Sequence, residues 1–133
     1  MVQKKHIVKI QLIVNQKNSA IHHCQVETEG RKSDFKIFQE TNLKIHPKIN
    51  IKRDLGYQGI DKIHPNSRVP HKKPKTGELT KKQNKVFRKK RVKIEHINRE
   101  CKCFRMVKET YRNKLKNIAN VWLIICGLVN LSL

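Results

Sequence analysis

The 133 residues carry a large excess of positive charge, and this excess limits what the chain can fold into. Lys and Arg number 31 against 10 Asp and Glu, which gives a net charge of +21. Hydrophobic residues make up 37% of the chain, below the roughly 45–50% of an ordinary domain, so the core is expected to be modest. The charge predicts a polyanionic partner, nucleic acid first of all, and argues against a protein that binds cationic ligands.

The apolar pattern predicts an α/β chain in which short early strands are followed by long C-terminal helices. Runs of β-branched residues separated by a polar turn are typical of a hairpin, and later segments change to helical spacing. Ser33 or Asp34 is the expected N-cap of the first helix. The predicted elements are strands at 7–14, 20–28 and 49–53, a helix at 34–43, a helical turn at 60–63, and helices at 80–104 and 109–131. The core face of the helix at 80–104 is predicted from an apolar stripe of Phe87, Ile94, Ile97, Cys101 and Phe104.

The length predicts that residues 1–133 form a single domain. Its sheet portion is predicted at 1–64, a basic loop at 65–79 and a helical portion at 80–133. The apolar run 121–129 has nine residues, whereas a membrane-spanning helix needs about 20, so a core helix is favoured over a membrane anchor. Because no export signal is seen, we expect a cytoplasmic protein whose four cysteines are reduced and mostly buried.

Glu95 stands out by its neighbours on the predicted long helix. Residues three and four positions apart share one helix face, and here four cations surround the single carboxylate. They are Arg88, Arg91, Arg99 and Lys102. One interpretation is an ion-pair ladder on a solvated face. The other is a metal-binding carboxylate flanked by phosphate-binding side chains, as phosphodiester chemistry requires.

Asp54 favours the second interpretation. It lies where a predicted strand ends and a glycine turn begins, which is the usual place for ligands in open α/β sheets. Asp54 and Glu95 together therefore form a candidate pair of catalytic carboxylates.

Several segments, in order, resemble the DDE transposases of bacterial insertion sequences, most closely the insertion sequence 5 group with its Harbinger-like nuclease domain. The signature around Asp54 reads RDLGYQG and includes Gly56 and Tyr57. A second signature, R-x3-E-x6-K, is formed by Arg91, Glu95 and Lys102. Further similar stretches are KKHIVKIQLIVN at 4–15, GRKSDFKIFQE at 30–40, FRMVKETYRN at 104–113 and GLVNL at 127–131.

The resemblance implies a ribonuclease H-like fold, here truncated, with Mg²⁺ or Mn²⁺ as cofactor. It also implies DNA strand cleavage with water as nucleophile and strand transfer with a 3′-hydroxyl. Asp54 and Glu95 match the second and third members of the metal-binding, catalytic triad. Arg88, Arg91, Arg99 and Lys102 would bind DNA, and Asp34, Gly56 and Tyr57 would be auxiliary or structural.

The chain also departs from the family pattern. The first triad aspartate is expected upstream of the strand at 4–15, and no aspartate precedes Asp34. Ser33 and Arg88 stand where the family usually has His and Tyr. We therefore expect a truncated or split-frame C-terminal part of a transposase that is inactive alone. Its expected partners are transposon ends, target DNA and an upstream transposase fragment, and its expected location is the nucleoid. The alternative is a non-enzymatic basic nucleic-acid-binding protein.

Overall fold

The structure is a computed structural model that describes residues 8–68, 78–109 and 111–133, without the side chains of Leu55, Arg68 and 78–81. The chain divides into two compact units, one formed by Met1–Arg31 with Val92–Leu133 and the other by Lys32–Arg91. The strands are β1 (Lys9–Val14), β2 (Ile21–Glu27), β3 (Ile51–Lys52) and β4 (Ser67–Arg68), and the helices are α1 (Asp34–Thr41), α2 (Glu78–Lys102), α3 (Arg105–Lys108) and α4 (Ile118–Leu131).

The first unit begins with the predicted hairpin. Strands β1 and β2 pair in antiparallel register, with Leu12 opposite Cys24, and an irregularity follows Ile13. The turn closes with a 2.8 Å hydrogen bond from the Asn15 amide to the Ala20 carbonyl. One face of the hairpin carries the apolar residues that pack on the core, as the alternation of a half-buried strand requires. Residue 7, where the first strand was expected to begin, lies outside the described residues.

Two helices cover that apolar face. Helix α2 contributes Ile97 and Cys101, both predicted as core positions, and Cys101 is fully buried. Helix α4 contributes Trp122, Ile125 and Val129 among others. The prediction that the apolar run 121–129 is a core helix is therefore confirmed. Leu123, Ile124, Leu128 and Leu131 of the same helix are exposed.

The C-terminal helices differ from the prediction in two places. Helix α2 ends at Lys102, so Phe104 lies beyond it as the N-cap of α3 and is 37% exposed, not a core position. Helix α4 begins at Ile118 instead of 109. The segment 112–117 offers only one apolar side chain, Leu115, and a helix without an apolar stripe gains little from packing.

The second unit contains α1 and the short parallel pair of β3 with β4. Ser33 is the N-cap of α1, because its hydroxyl accepts a 3.2 Å hydrogen bond from the Lys36 amide. Helix α1 ends at Thr41 and is followed by its C-cap Asn42, whose φ of 46° is left-handed. Strand β4 falls inside the predicted basic loop 65–79, and residues 69–77 of that loop lie outside the described residues.

The chain is thus a mixed α/β protein with a small antiparallel sheet and long C-terminal helices, as predicted at that level. All four cysteines are free, and Cys103 is the exposed one. In the parts of the chain that the structure describes, every helix is too short or too polar to cross a bilayer.

Candidate functional site

Asp54 lies just beyond β3, as the sequence predicts. Its carbonyl accepts a 3.2 Å hydrogen bond from the Tyr57 amide, which closes a 3₁₀ turn over Leu55–Tyr57. The Asp54 side chain is 52% exposed. A carboxylate presented on a tight turn at a strand end is open to ligands while its backbone is held in place.

Arg91 of α2 pairs with this carboxylate. Its Nη2 lies 3.1 Å from Oδ2 of Asp54, and 31% of the Arg91 side chain is exposed. Because both partners contact water, the pair contributes little to stability, about 1 kcal/mol or less. Its main effect is to orient Asp54 and to offset its charge. The sequence assigned Arg91 to DNA, and the structure shows in addition an intramolecular partner.

Arg53, which the sequence analysis did not select, is buried directly beside Asp54. Its guanidinium donates to the Tyr57 carbonyl, to the Asp61 carboxylate and to the Ser67 hydroxyl. Burial lowers the pKa of Arg53, and the charge and hydrogen bond of Asp61 oppose that shift. The network ties both ends of the Asp54 turn to β4. The only available signal was the position of a cation next to the Asp of the RDLGYQG motif.

Asp34 approaches the same turn from α1. Because Ser33 provides the cap, the Asp34 carboxylate has a separate place in the structure: its Oδ2 lies 3.0 Å from where a Cβ on Gly56 would stand. The sequence grouped Asp34 with Gly56 and Tyr57 as auxiliary residues, and the structure places Asp34 against Gly56.

Glu95 belongs to the first unit, where it is exposed on α2. Arg99 and Lys102 follow it on the helix and are also exposed, and Arg88 is exposed in the part of α2 that belongs to the second unit. Lys93 has a structural role, since its Nζ donates to the carbonyls of Gln16 at 2.5 Å and Lys17 at 3.2 Å. The exposed cations can meet phosphate groups without giving up a contact of this kind.

The pairing of Asp54 with Glu95 stays a prediction, since the two belong to different units. Within the described residues, no group of three or more His, Cys, Asp or Glu side chains could hold a metal ion. Carboxylate oxygens are nonetheless the donors that Mg²⁺ and Mn²⁺ prefer. The donor chemistry therefore suits these cations, and a complete site requires a further ligand.

Three cysteines contribute to the first unit's core. Burial raises the pKa of Cys101 and of Cys126 to about 12, and it also raises the pKa of the half-buried Cys24. Since the thiolate is the reactive form, these thiols are inert packing groups at neutral pH.

The chain is similar to a known protein family and to a known relative. The DDE superfamily endonuclease model matches residues 2–130. The chain is 36% identical over 132 residues to a probable transposase for insertion sequence element IS702 from Microchaete diplosiphon. The match covers 97% of this chain and 48% of the relative, so the chain spans about half the length of the protein it matches. No solved structure matches the chain.

Proposed function

The chain belongs to the DDE endonuclease superfamily, and from this we propose that it is the C-terminal part of an insertion-sequence transposase. The observation that carries the proposal is the family match over residues 2–130, a range that spans both candidate carboxylates. The chain covers 48% of the relative, which is consistent with a fragment of a longer transposase. The substrates are DNA, at transposon ends and at the target, and the chain acts at the nucleoid.

The proposed fold is ribonuclease H-like. The antiparallel hairpin of β1 and β2, followed by α1 and then by β3 with Asp54 at its end, supports that assignment. In the complete fold, the strand bearing the first triad aspartate is contributed by an upstream transposase fragment.

Asp54 and Glu95 are proposed as two of the three carboxylate ligands of Mg²⁺ or Mn²⁺, and the upstream aspartate as the third. Bound divalent cations supply charge neutralisation at the scissile phosphate and activation of the attacking oxygen. This chain's own contribution is to present oxygen donors. Arg91 holds the Asp54 carboxylate 3.1 Å away and orients it before any ligand arrives.

The exposed cations of α2 are proposed to hold the DNA backbone. Arg88, Arg99 and Lys102 lie on one helix and project into solvent. Each phosphate contact releases a counterion, so binding is expected to be independent of sequence and strongly dependent on salt. This electrostatic attraction offsets the repulsion between a polyanion and two carboxylates.

The site is proposed to be inactive in the isolated chain, because two carboxylates do not complete a metal site whose ligands are shared. The alternative function is that of a basic nucleic-acid-binding protein without catalytic activity, and the net charge of +21 favours it because such a charge attracts DNA.

A complementation assay separates the two functions. The purified chain is incubated with DNA bearing transposon ends and Mg²⁺ or Mn²⁺, alone and with a separately produced fragment of the relative that covers its unmatched half. The expected result is no cleavage alone and cleavage with the fragment, lost in Asp54→Asn and Glu95→Gln. Cleavage that survives both substitutions contradicts the site, and absence of cleavage in the mixture favours the alternative.

The salt dependence of DNA binding tests the phosphate contacts. Arg99→Ala and Lys102→Ala should each reduce the slope of log affinity against log salt concentration by about 0.9. Lys44→Ala is the matched control, because it removes one exposed positive charge from outside α2. Equal slopes in all three variants would contradict the assignment of α2 as the DNA-binding element.

A further inference from the structure

We propose that Asp34 and Phe35, the first two residues of α1, are positioning residues for Asp54. The two glycines of the RDLGYQG motif, Gly56 and Gly59, leave the space that these side chains occupy. The inference rests on the proposed function for its catalytic meaning. It assigns neither residue a contact with metal or DNA. The observation behind it is that α1 and the Asp54 turn fit together at two separate points.

The first point is the contact between Asp34 and Gly56. A Cβ built on Gly56 would meet Oδ2 of Asp34 at 3.0 Å and the Asp34 Cβ and Cγ at 3.9 Å. A Cβ at position 56 would therefore require the Asp34 carboxylate to shift by a few tenths of an ångström. The φ of Gly56 is not in the left-handed region, so backbone conformation does not demand glycine here. Glycine is favoured at position 56 by the close approach of the Asp34 carboxylate.

The second point is the contact between Phe35 and Gly59. A Cβ on Gly59 would lie 3.3 Å from Cζ of the Phe35 ring, and Gly59 has a φ of 98°. Glycine is thus required twice over at this position, by the backbone and by the aromatic ring. Phe35 itself is half-buried, so the ring rests on the turn.

The turn is fixed from the other side by Arg53. Its buried guanidinium, 3% exposed, holds the Tyr57 carbonyl and reaches Ser67 Oγ at 2.9 Å. Between these supports the Asp54 backbone is held, while its side chain remains 52% exposed. A carboxylate that must coordinate a cation with defined geometry benefits from a rigid supporting shell.

The consequence is an energetic coupling between two motifs that are separated in sequence, SDF at 33–35 and RDLGYQG at 53–59. Residues in direct contact show non-additive effects on mutation, typically of about 0.5–3 kcal/mol, whereas distant residues do not. A substitution at position 56 is therefore expected to depend on which side chain stands at position 34.

A double-mutant cycle on the whole chain tests this coupling. Amide hydrogen exchange of the segment 54–59 is measured for Gly56→Ala, Asp34→Ala, the double variant, and Asp34→Asn combined with Gly56→Ala. Gly56→Ala should speed exchange of this segment about fivefold. Asp34→Asn combined with Gly56→Ala should show the same increase, because asparagine keeps an atom at the position of the Asp34 Oδ2. Asp34→Ala combined with Gly56→Ala should exchange at a rate within about twofold of the rate for Asp34→Ala alone. Gly127→Ala is the control, since a Cβ there meets nothing within 4 Å.

Two results would overturn the proposal: unchanged exchange in Gly56→Ala, or an equal increase in both backgrounds. This readout does not require metal binding or catalysis, so it stands even if the proposed function fails.

Mn²⁺ binding separates positioning from ligation. It is followed by the loss of the free-ion electron paramagnetic resonance signal, in every case with the chain mixed with the fragment of the relative used in the complementation assay. Gly56→Ala should weaken binding about fivefold, Asp34→Ala should weaken it less than Asp54→Asn does, and the double variant should bind no more weakly than Asp34→Ala alone. Asp54→Asn should abolish binding. If Asp34→Ala alone weakens Mn²⁺ as much as Asp54→Asn does, Asp34 is a ligand and the positioning role is wrong. If wild type binds no Mn²⁺, the metal site is contradicted and the exchange cycle decides the positioning.

Discussion

Asn130 is the residue whose replacement most directly tests the packing of the first unit. Its Oδ1 accepts a hydrogen bond from the Ile21 amide at 2.8 Å, and its Nδ2 donates to the Ile21 carbonyl at 3.0 Å. One side chain near the end of α4 thereby satisfies both backbone groups of the first residue of β2. Ile21 is only 8% exposed, whereas Asn130 is exposed, so water can replace these bonds only in part.

We expect Asn130→Ala to lower the free energy of unfolding by about 1–3 kcal/mol. Two buried backbone groups lose their partners, at about 1–2 kcal/mol each, and partial access of water at the end of α4 reduces the sum. Asn130→Asp should be at least as harmful, because it keeps the acceptor, loses the donor and places a carboxylate against the Ile21 carbonyl oxygen.

The measurement is urea unfolding followed by the fluorescence of Trp122. The chain has a single tryptophan, and it is 6% exposed on the same helix, so its emission reports this unit. Asn120→Ala is the matched control, because Asn120 is an exposed asparagine of α4. The control should change stability by less than about 0.5 kcal/mol. Equal stability of the two alanine variants would refute the reasoning.

Two further predictions concern the thiols. The pKa of Cys101 and Cys126 is raised from 9.0 to about 12, so the unfolded chain ionises first as pH rises. The free energy of unfolding should therefore be unaffected by these groups below pH 9 and should fall between pH 9 and about 12. A double variant, Cys101→Ala with Cys126→Ala, should lose part of this decline, and a variant that retains the full decline would contradict the prediction. Exposed Cys103 should react with iodoacetamide at pH 8 at least about tenfold faster than buried Cys101, measured by peptide mass spectrometry, and comparable rates would show that the core opens readily.

The elements that the sequence predicted are those with a strong local signal. The hairpin and α1 have clear apolar periods and a cap at Ser33, and the core stripe of α2 is visible in the spacing of Ile97 and Cys101. The pairing of β3 with β4 was missed, since each strand has two residues and a pattern that short has no period. Parallel pairing of this kind is decided by tertiary contacts.

The site follows the same rule. The place of Asp54 after a strand was predictable, because a strand followed by a glycine turn is a local pattern. Its ion pair with Arg91 and the burial of Arg53 were not. These contacts join residues that no fixed spacing relates, so a single sequence gives no signal for them.

The hydrogen bonds between Ile21 and Asn130 span 109 positions of the chain, and this separation has a consequence for synthesis on the ribosome. At about 5–20 residues per second, the hairpin leaves the exit tunnel roughly 5–20 s before α4 can cover it. The segment 32–91, by contrast, is contiguous and can collapse during that interval. The nascent chain therefore presents an uncovered β-hairpin to chaperones until α4 emerges, so the packing of β1 and β2 is completed by a helix that is made much later.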